Sequence, residues 1–146
     1  MINYINFFGF QKEPFPQVID TGKIYHFPGI EEMNARFSFA VDSGMVLVIT
    51  GAIGAGKSTF LRYACSKFHP SKYKVVPVIA NSGSLLEILR QIASAFDIDA
   101  GSNSISKLTK EIKQVMADIF SKKTTPVLVI DEAHLMREAI FKEIHT

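Results

Sequence analysis

One short stretch of the chain, TGAIGAGKST, has the residue types and the spacing of a phosphate-binding loop. Gly51, Gly56, Lys57 and Ser58 satisfy the pattern G-x-x-x-x-G-K-[ST]. Glycines permit positive φ angles and bring main-chain amides close to phosphate oxygens. We expect Lys57 to reach the β- and γ-phosphates and the Ser58 hydroxyl to ligate Mg²⁺. The alternative is a glycine turn with an incidental lysine.

A second group with catalytic potential is the acidic pair in VLVIDEAH, where Asp131 and Glu132 follow four apolar residues. We expect Asp131 to hold Mg²⁺ and Glu132 to orient and deprotonate the attacking water. Adjacent carboxylates favour hydrolysis over phosphoryl transfer to a small acceptor. The alternative is that the two acids only cap the next helix, where the helix dipole favours negative charge.

The hydrophobic pattern predicts the elements that position these groups. Short apolar runs predict strands at Met45–Thr50, Lys74–Asn81 and Pro126–Asp131. Pro77 lacks an N–H donor, which favours an edge position for the second strand. Ser84 and Glu87 have the spacing of a capping box. Helical spacing of apolar residues predicts helices near residues 30–41, 60–68, 85–96, 105–119 and 135–145, and the second of these is expected to begin within the glycine loop.

This alternation of strands and helices predicts an α/β fold layered around a parallel sheet. The carboxyl ends of parallel strands meet at one edge, so the glycine loop and the acidic pair are expected to converge there.

Composition sets the broad class of protein. The 146 residues carry a net charge of +2, and 47% are hydrophobic, enough for the core of one domain. Cys65 is the single cysteine, which excludes an internal disulfide framework. The aromatic start is a poor signal peptide because prolines interrupt it, and no apolar run reaches membrane-spanning length. We therefore expect a cytoplasmic protein.

Five segments together resemble AAA+ ATPases of the general-secretion-pathway protein A kind and the related transposition-helper ATPases. They are FFGFQKEPF, KIYHFPGIEEMNARFSFAVDSG, TGAIGAGKST, KVVPVIAN and VLVIDEAH. The resemblance implies a three-layer P-loop NTPase fold, an AAA+ core with a mostly parallel sheet, preceded by an N-terminal arm at residues 1–28 and occupying residues 29–146. It implies an ATP-hydrolysing homo-oligomer that serves a membrane-associated secretion or pilus apparatus.

The resemblance also assigns site residues. The Walker B pair is Asp131 with Glu132, and Asn81 matches the polar residue that contacts the Walker B glutamate and restrains it, although a turn or N-cap asparagine is the alternative. Tyr25 and His26, with Ile30, are weaker candidates for an adenine pocket. The Walker A loop consists of Gly51, Ala52, Ile53, Gly54, Ala55, Gly56, Lys57, Ser58 and Thr59.

The resemblance implies further elements beyond the Walker B segment: a strand with a sensor asparagine, a trans-acting arginine and a helical lid. Their absence from the sequence predicts that the chain is part of a longer protein and hydrolyses ATP weakly by itself. It also predicts that two central strands lack a partner, unless those strands pair directly.

Alternative functions stay open. One is an ATP-dependent transposition regulator that binds DNA through Lys107, Lys110, Lys113, Lys122 and Lys123, which otherwise read as a solvated face. Another is a nucleotide switch that does not hydrolyse ATP, and a small-molecule kinase comes last. His134 follows the acidic pair and is interpreted as a solvated or hydrogen-bonded side chain.

Overall fold

A computed structural model describes residues 4–14, 16, 19–80 and 84–145. The chain forms two compact units, Met1–Ser66 and Lys67–Thr146. Asn81 lies outside the described residues, so its predicted role is not tested by the structure. The predicted division into an arm at residues 1–28 and a core at 29–146 also stays a prediction.

The first unit is helical in its described part. It contains α1 (Tyr4–Phe7), a 3₁₀ turn (Thr21–Lys23), α2 (Ile30–Asp42) and α3 (Lys57–Ser66). The two longer helices bury Ile30, Phe37, Ala40, Phe60, Tyr63 and Ala64. The rings of Phe37 and Phe60 pack edge to face with centroids 6.2 Å apart, which joins α2 to α3. This contact supports the helix that follows the glycine loop.

The predicted strand over Met45–Thr50 does not form. These residues have no regular structure, and Val46 and Val48 are 72% and 75% exposed. A strand needs a neighbouring backbone to accept and donate its hydrogen bonds, and no strand pairs with this segment among the described residues. The apolar run therefore stays irregular and exposed, so local sequence alone does not make it a strand.

The second unit contains the sheet. Its elements are β1 (Tyr73–Ile79), α4 (Leu85–Ala95), α5 (Ile105–Ser121), β2 (Thr125–Asp131), a 3₁₀ turn (Ala133–Leu135) and α6 (Glu138–His145). The two strands pair in parallel, with Val76 opposite Leu128 and Ile79 opposite Asp131. One sheet face packs on α4 and α5. The core is formed by Val76, Val78, Ala80, Ile88, Leu89, Ile92, Ala93, Phe96, Leu108, Ile112, Met136 and Ile140.

The outer edge of β1 is closed by a side chain from α4. The Ile79 amide donates to Gln91 Oε1 and the Ile79 carbonyl accepts from Gln91 Nε2, both at 3.0 Å. The next residue, Ala80, donates instead to the Asp131 carbonyl of β2. Because backbone groups alternate between the two edges of a strand, Pro77 lies on the outer edge with Ile79. Its missing N–H costs no bond to β2, as an edge proline predicts.

Two local predictions are wrong. Ser84 is the N-cap of α4, but its side chain makes no capping hydrogen bond, so the predicted capping box is not formed. The last predicted helix is broken, because residues 133–135 form a 3₁₀ turn and α6 begins only at Glu138. The sheet among the described residues has two strands, and the three-layer arrangement stays a prediction.

Candidate nucleotide-binding site

The glycine loop leads directly into α3. Gly54 and Gly56 have φ angles of +79° and +83°, a region that other residues rarely adopt. The helix begins at Lys57, and the Phe60 amide donates to the Gly56 carbonyl at 2.8 Å. The amides of the first helical turn therefore have no partner within the helix and are available to an anion. The positive φ of Gly56 and the helix that follows it are those expected of such a loop, whereas the strand expected before the loop does not form.

Lys57 folds back over this loop. Its Nζ donates to the carbonyl oxygens of Gly51 and Ala52, each at 3.0 Å. These bonds engage two of the three N–H donors of the ammonium group. They hold the positive charge at the loop rather than in bulk solvent. At this position a phosphate oxygen can replace a carbonyl oxygen as the hydrogen-bond partner of the ammonium group.

The rest of the loop is open to solvent. Ser58 is exposed in the first turn of α3 and Thr59 is half-buried, while Ile53 at the loop tip is fully exposed. A Cβ built on Gly54 or Gly56 meets no atom within 4 Å, so the space beside these two glycines is open. A hydroxyl oxygen is a suitable ligand for Mg²⁺. The residues present therefore fit a nucleotide with its magnesium ion.

The acidic pair lies in the second unit, at the carboxyl end of β2. Glu132 has a left-handed backbone with φ 55° and ψ 30°, and its amide donates to Asp131 Oδ1 at 2.9 Å. Glu132 is the N-cap residue of the 3₁₀ turn, but its side chain makes no capping bond. The geometry gives no support to a capping role for Glu132, and its side chain is half exposed to solvent.

A contact not predicted from the sequence involves His134. Its Nδ1 lies 3.3 Å from Glu132 Oε2. The only sequence signal is the spacing of two residues between an acid and a histidine. That spacing brings the side chains together here because Glu132 turns left-handed and a 3₁₀ turn follows.

The three weaker candidates for an adenine pocket differ in their surroundings. Ile30 is buried in the first unit and belongs to its core, whereas Tyr25 is exposed. His26 packs edge to face on Tyr63 at 5.3 Å and lies 3.6 Å from Glu31. These contacts are those of ordinary packing.

The glycine loop belongs to the first compact unit and the acidic pair to the second. Their predicted convergence at one sheet edge stays a prediction.

Comparison with known proteins identifies the family to which the chain belongs. A model of the AAA domain family matches residues 41–146, which include both the glycine loop and the acidic pair. The chain belongs to the AAA domain family. Searches of curated proteins and of solved structures gave no match. Membership gives the AAA domain a P-loop NTPase fold and supports nucleotide-binding, ATPase-type activity.

Two further observations concern the reactivity of Cys65 and the ability of the helices to span a membrane. Burial raises the pKa of the Cys65 thiol on α3, which disfavours the reactive thiolate. Among the described residues, no helix combines the length and the apolar character needed to cross a membrane. The cytoplasmic location stays a prediction.

Proposed function

We propose that this AAA domain binds ATP with Mg²⁺ at Gly51–Thr59 and hydrolyses it with the help of Asp131 and Glu132. The observation that carries the proposal is the folded glycine loop at the head of α3, with the Lys57 ammonium held on its carbonyls at 3.0 Å. The main-chain amides at the start of α3, beside the Lys57 ammonium group, are suited to binding a polyphosphate. Membership of the AAA domain family supports the same chemistry.

The proposed roles follow from residue chemistry. Main-chain amides of residues 51–59 and the Lys57 ammonium bind the phosphate oxygens. Ser58 and Asp131 supply oxygen ligands for Mg²⁺, which when bound neutralises phosphate charge. Glu132 orients the attacking water and accepts its proton. Asn81 contacts and restrains Glu132, a role that only the sequence resemblance supports.

The test separates binding from turnover. Calorimetry should detect Mg–ATP binding by the wild type and its loss in Lys57→Ala. Glu132→Gln should bind ATP as the wild type does but lose phosphate release, by about 10²–10⁴-fold, because an amide accepts no proton. Glu138→Gln is the matched control, since Glu138 is an exposed carboxylate on α6 paired with Lys142. Unchanged turnover in Glu132→Gln rejects Glu132 as the base.

The process that uses ATP is proposed from the sequence resemblance alone: homo-oligomeric assembly beside a membrane-associated secretion or pilus apparatus. The competing role as a DNA-dependent transposition regulator has one structural feature in its favour. Lys110, Lys113, Lys122 and Lys123 are all exposed on the second unit. DNA binding that strengthens with ATP and weakens with salt would select it. ATP binding with phosphate release no faster than in buffer would instead indicate a nucleotide switch.

A further inference from the structure

The turn after β2 carries a histidine that approaches the candidate catalytic carboxylate. His134 Nδ1 lies 3.3 Å from Glu132 Oε2, which is within ion-pair distance of the carboxylate. Among the described residues, this is the one ion-pair contact found for Glu132. His134 was interpreted from the sequence only as a solvated or hydrogen-bonded side chain, so the partner is a structural finding.

The backbone of this turn is held in place by the core. The Leu135 amide donates to the Glu132 carbonyl at 2.9 Å, and the Met136 amide donates to the Ala133 carbonyl at 3.0 Å. Met136 is buried in the core of the second unit. The left-handed conformation of Glu132 is uncommon for a residue with a Cβ and requires such support. The contact between the two side chains is therefore set up by the local fold.

We propose that His134 is a positioning residue for Glu132, with Nδ1–H donating to Oε2 so that Oε1 faces the water it deprotonates. The proposal rests on the proposed ATPase function. Both side chains are largely in water, 71% exposed for His134 and 52% for Glu132. Such a contact adds little to stability. Its effect is expected on the orientation of the carboxylate and therefore on turnover.

The histidine offers a matched pair of substitutions, because its two ring nitrogens lie at different distances along the side chain. Asparagine places an N–H donor near the position of Nδ1, whereas glutamine places one near Nε2. We expect His134→Ala and His134→Gln to lower kcat by about tenfold or more, since misplacing a reacting group by about 1 Å can cost as much as a hundredfold. His134→Asn should stay within about threefold of the wild type. Calorimetric Kd for Mg–ATP and the thermal unfolding midpoint should not change in any variant.

A second readout does not depend on turnover. In long-range ¹H–¹⁵N spectra at mildly alkaline pH, the ring of His134 should carry its proton on Nδ1. The Nδ1–H signal of His134 should be lost in His134→Ala, and this loss assigns the signal among the 4 histidines. Glu132→Ala removes the acceptor and should shift the proton to Nε2.

The outcomes separate the two proposals. A proton on Nε2 in the wild type, equal kcat for Asn and Gln variants, or wild-type kcat in His134→Ala overturns the role of His134 while leaving the ATPase function intact. Absence of phosphate release from the wild type overturns the ATPase function and, with it, the positioning role, even where the Nδ1–H tautomer is observed.

Discussion

Gly56 and Gly51 are the two motif glycines of the phosphate-binding pattern, but their backbones differ. Gly56 has a φ of +83°, whereas Gly51 does not adopt a positive φ. A Cβ on Gly51 would meet Ala55 Cβ at 3.5 Å, an ordinary contact. The sequence pattern treats the two positions alike, and only the structure distinguishes a strained position from an unstrained one.

We predict that Gly56→Ala weakens ATP binding by about tenfold, because a left-handed backbone costs a residue with a Cβ about 1–2 kcal/mol. Gly51→Ala should weaken binding by less than about threefold. Calorimetric titration with Mg–ATP measures both. Equal losses in the two variants would show that the positive φ at Gly56 is not what the loop requires.

At the scale of elements, three helices end in the same way. After α2, α4 and α5 the chain turns left-handed, at Gly44 with φ 63°, Asp97 with φ 58° and Lys123 with φ 61°. Each end has the paired bonds of a Schellman motif; in α5 the Thr124 amide donates to the Ile119 carbonyl at 3.3 Å. Glycine is the usual residue at such a position, as at Gly44. Asp97 and Lys123 carry no such signal.

The left-handed residues after these helices suggest two substitutions that should change the free energy of unfolding in opposite directions. Lys123→Gly should raise the free energy of unfolding by about 0.5–1 kcal/mol, since relief of the left-handed strain exceeds the extra chain entropy of glycine. Gly44→Ala should lower it by about 1 kcal/mol. Urea unfolding followed by circular dichroism measures both changes. A less stable Lys123→Gly variant would contradict the argument.

The two hydrogen bonds between Gln91 and the outer edge of β1 lead to a further prediction. Gln91→Met keeps the size of the side chain but removes both bonds to Ile79. Because Ile79 is 59% exposed, water replaces part of the loss, and we expect a destabilisation of about 1 kcal/mol. Amide hydrogen exchange at Ile79 should accelerate more than the change in global stability explains. Gln114→Met, on the exposed face of α5, is the control and should leave that exchange unchanged.

At the scale of the whole molecule, the described hydrophobic core lies mainly in the second unit. The continuous core cluster involves β1, α4, α5 and the turn and helix after β2, all within Lys67–Thr146. The first unit buries a smaller set on α2 and α3, while Phe7, Phe8 and the apolar residues 45–48 stay exposed. Since buried apolar area is the main stabilising term, the two units are expected to differ in intrinsic stability.

We predict that residues 67–146 expressed alone unfold cooperatively in urea, and that residues 1–66 alone show no cooperative transition. Circular dichroism and the slope of unfolding free energy against urea measure this difference. The intact 146-residue chain is the reference. A cooperative transition in the first segment alone would show that its small set of buried residues is sufficient.

The sequence by itself determined the features that depend on nearby residues. Amphipathic spacing predicted α2, α4 and α5, short apolar runs predicted β1 and β2, and glycine spacing predicted a loop with a positive φ, which is observed at Gly56. The helices and the loop depend on side chains and backbone angles within one or two turns of chain, so local chemistry is enough to specify them. The strands β1 and β2 also need each other's backbone as a hydrogen-bond partner.

Tertiary structure decided what depends on distant partners. Val46 and Val48 have the composition of a strand, yet a strand needs a second backbone to pair with, and composition does not supply one. Gln91 closes the β1 edge because α4 packs on that sheet, and His134 meets Glu132 because a core-anchored turn reverses the chain. Hydrogen bonds between residues far apart, or across an unusual turn, follow from packing rather than from residue type.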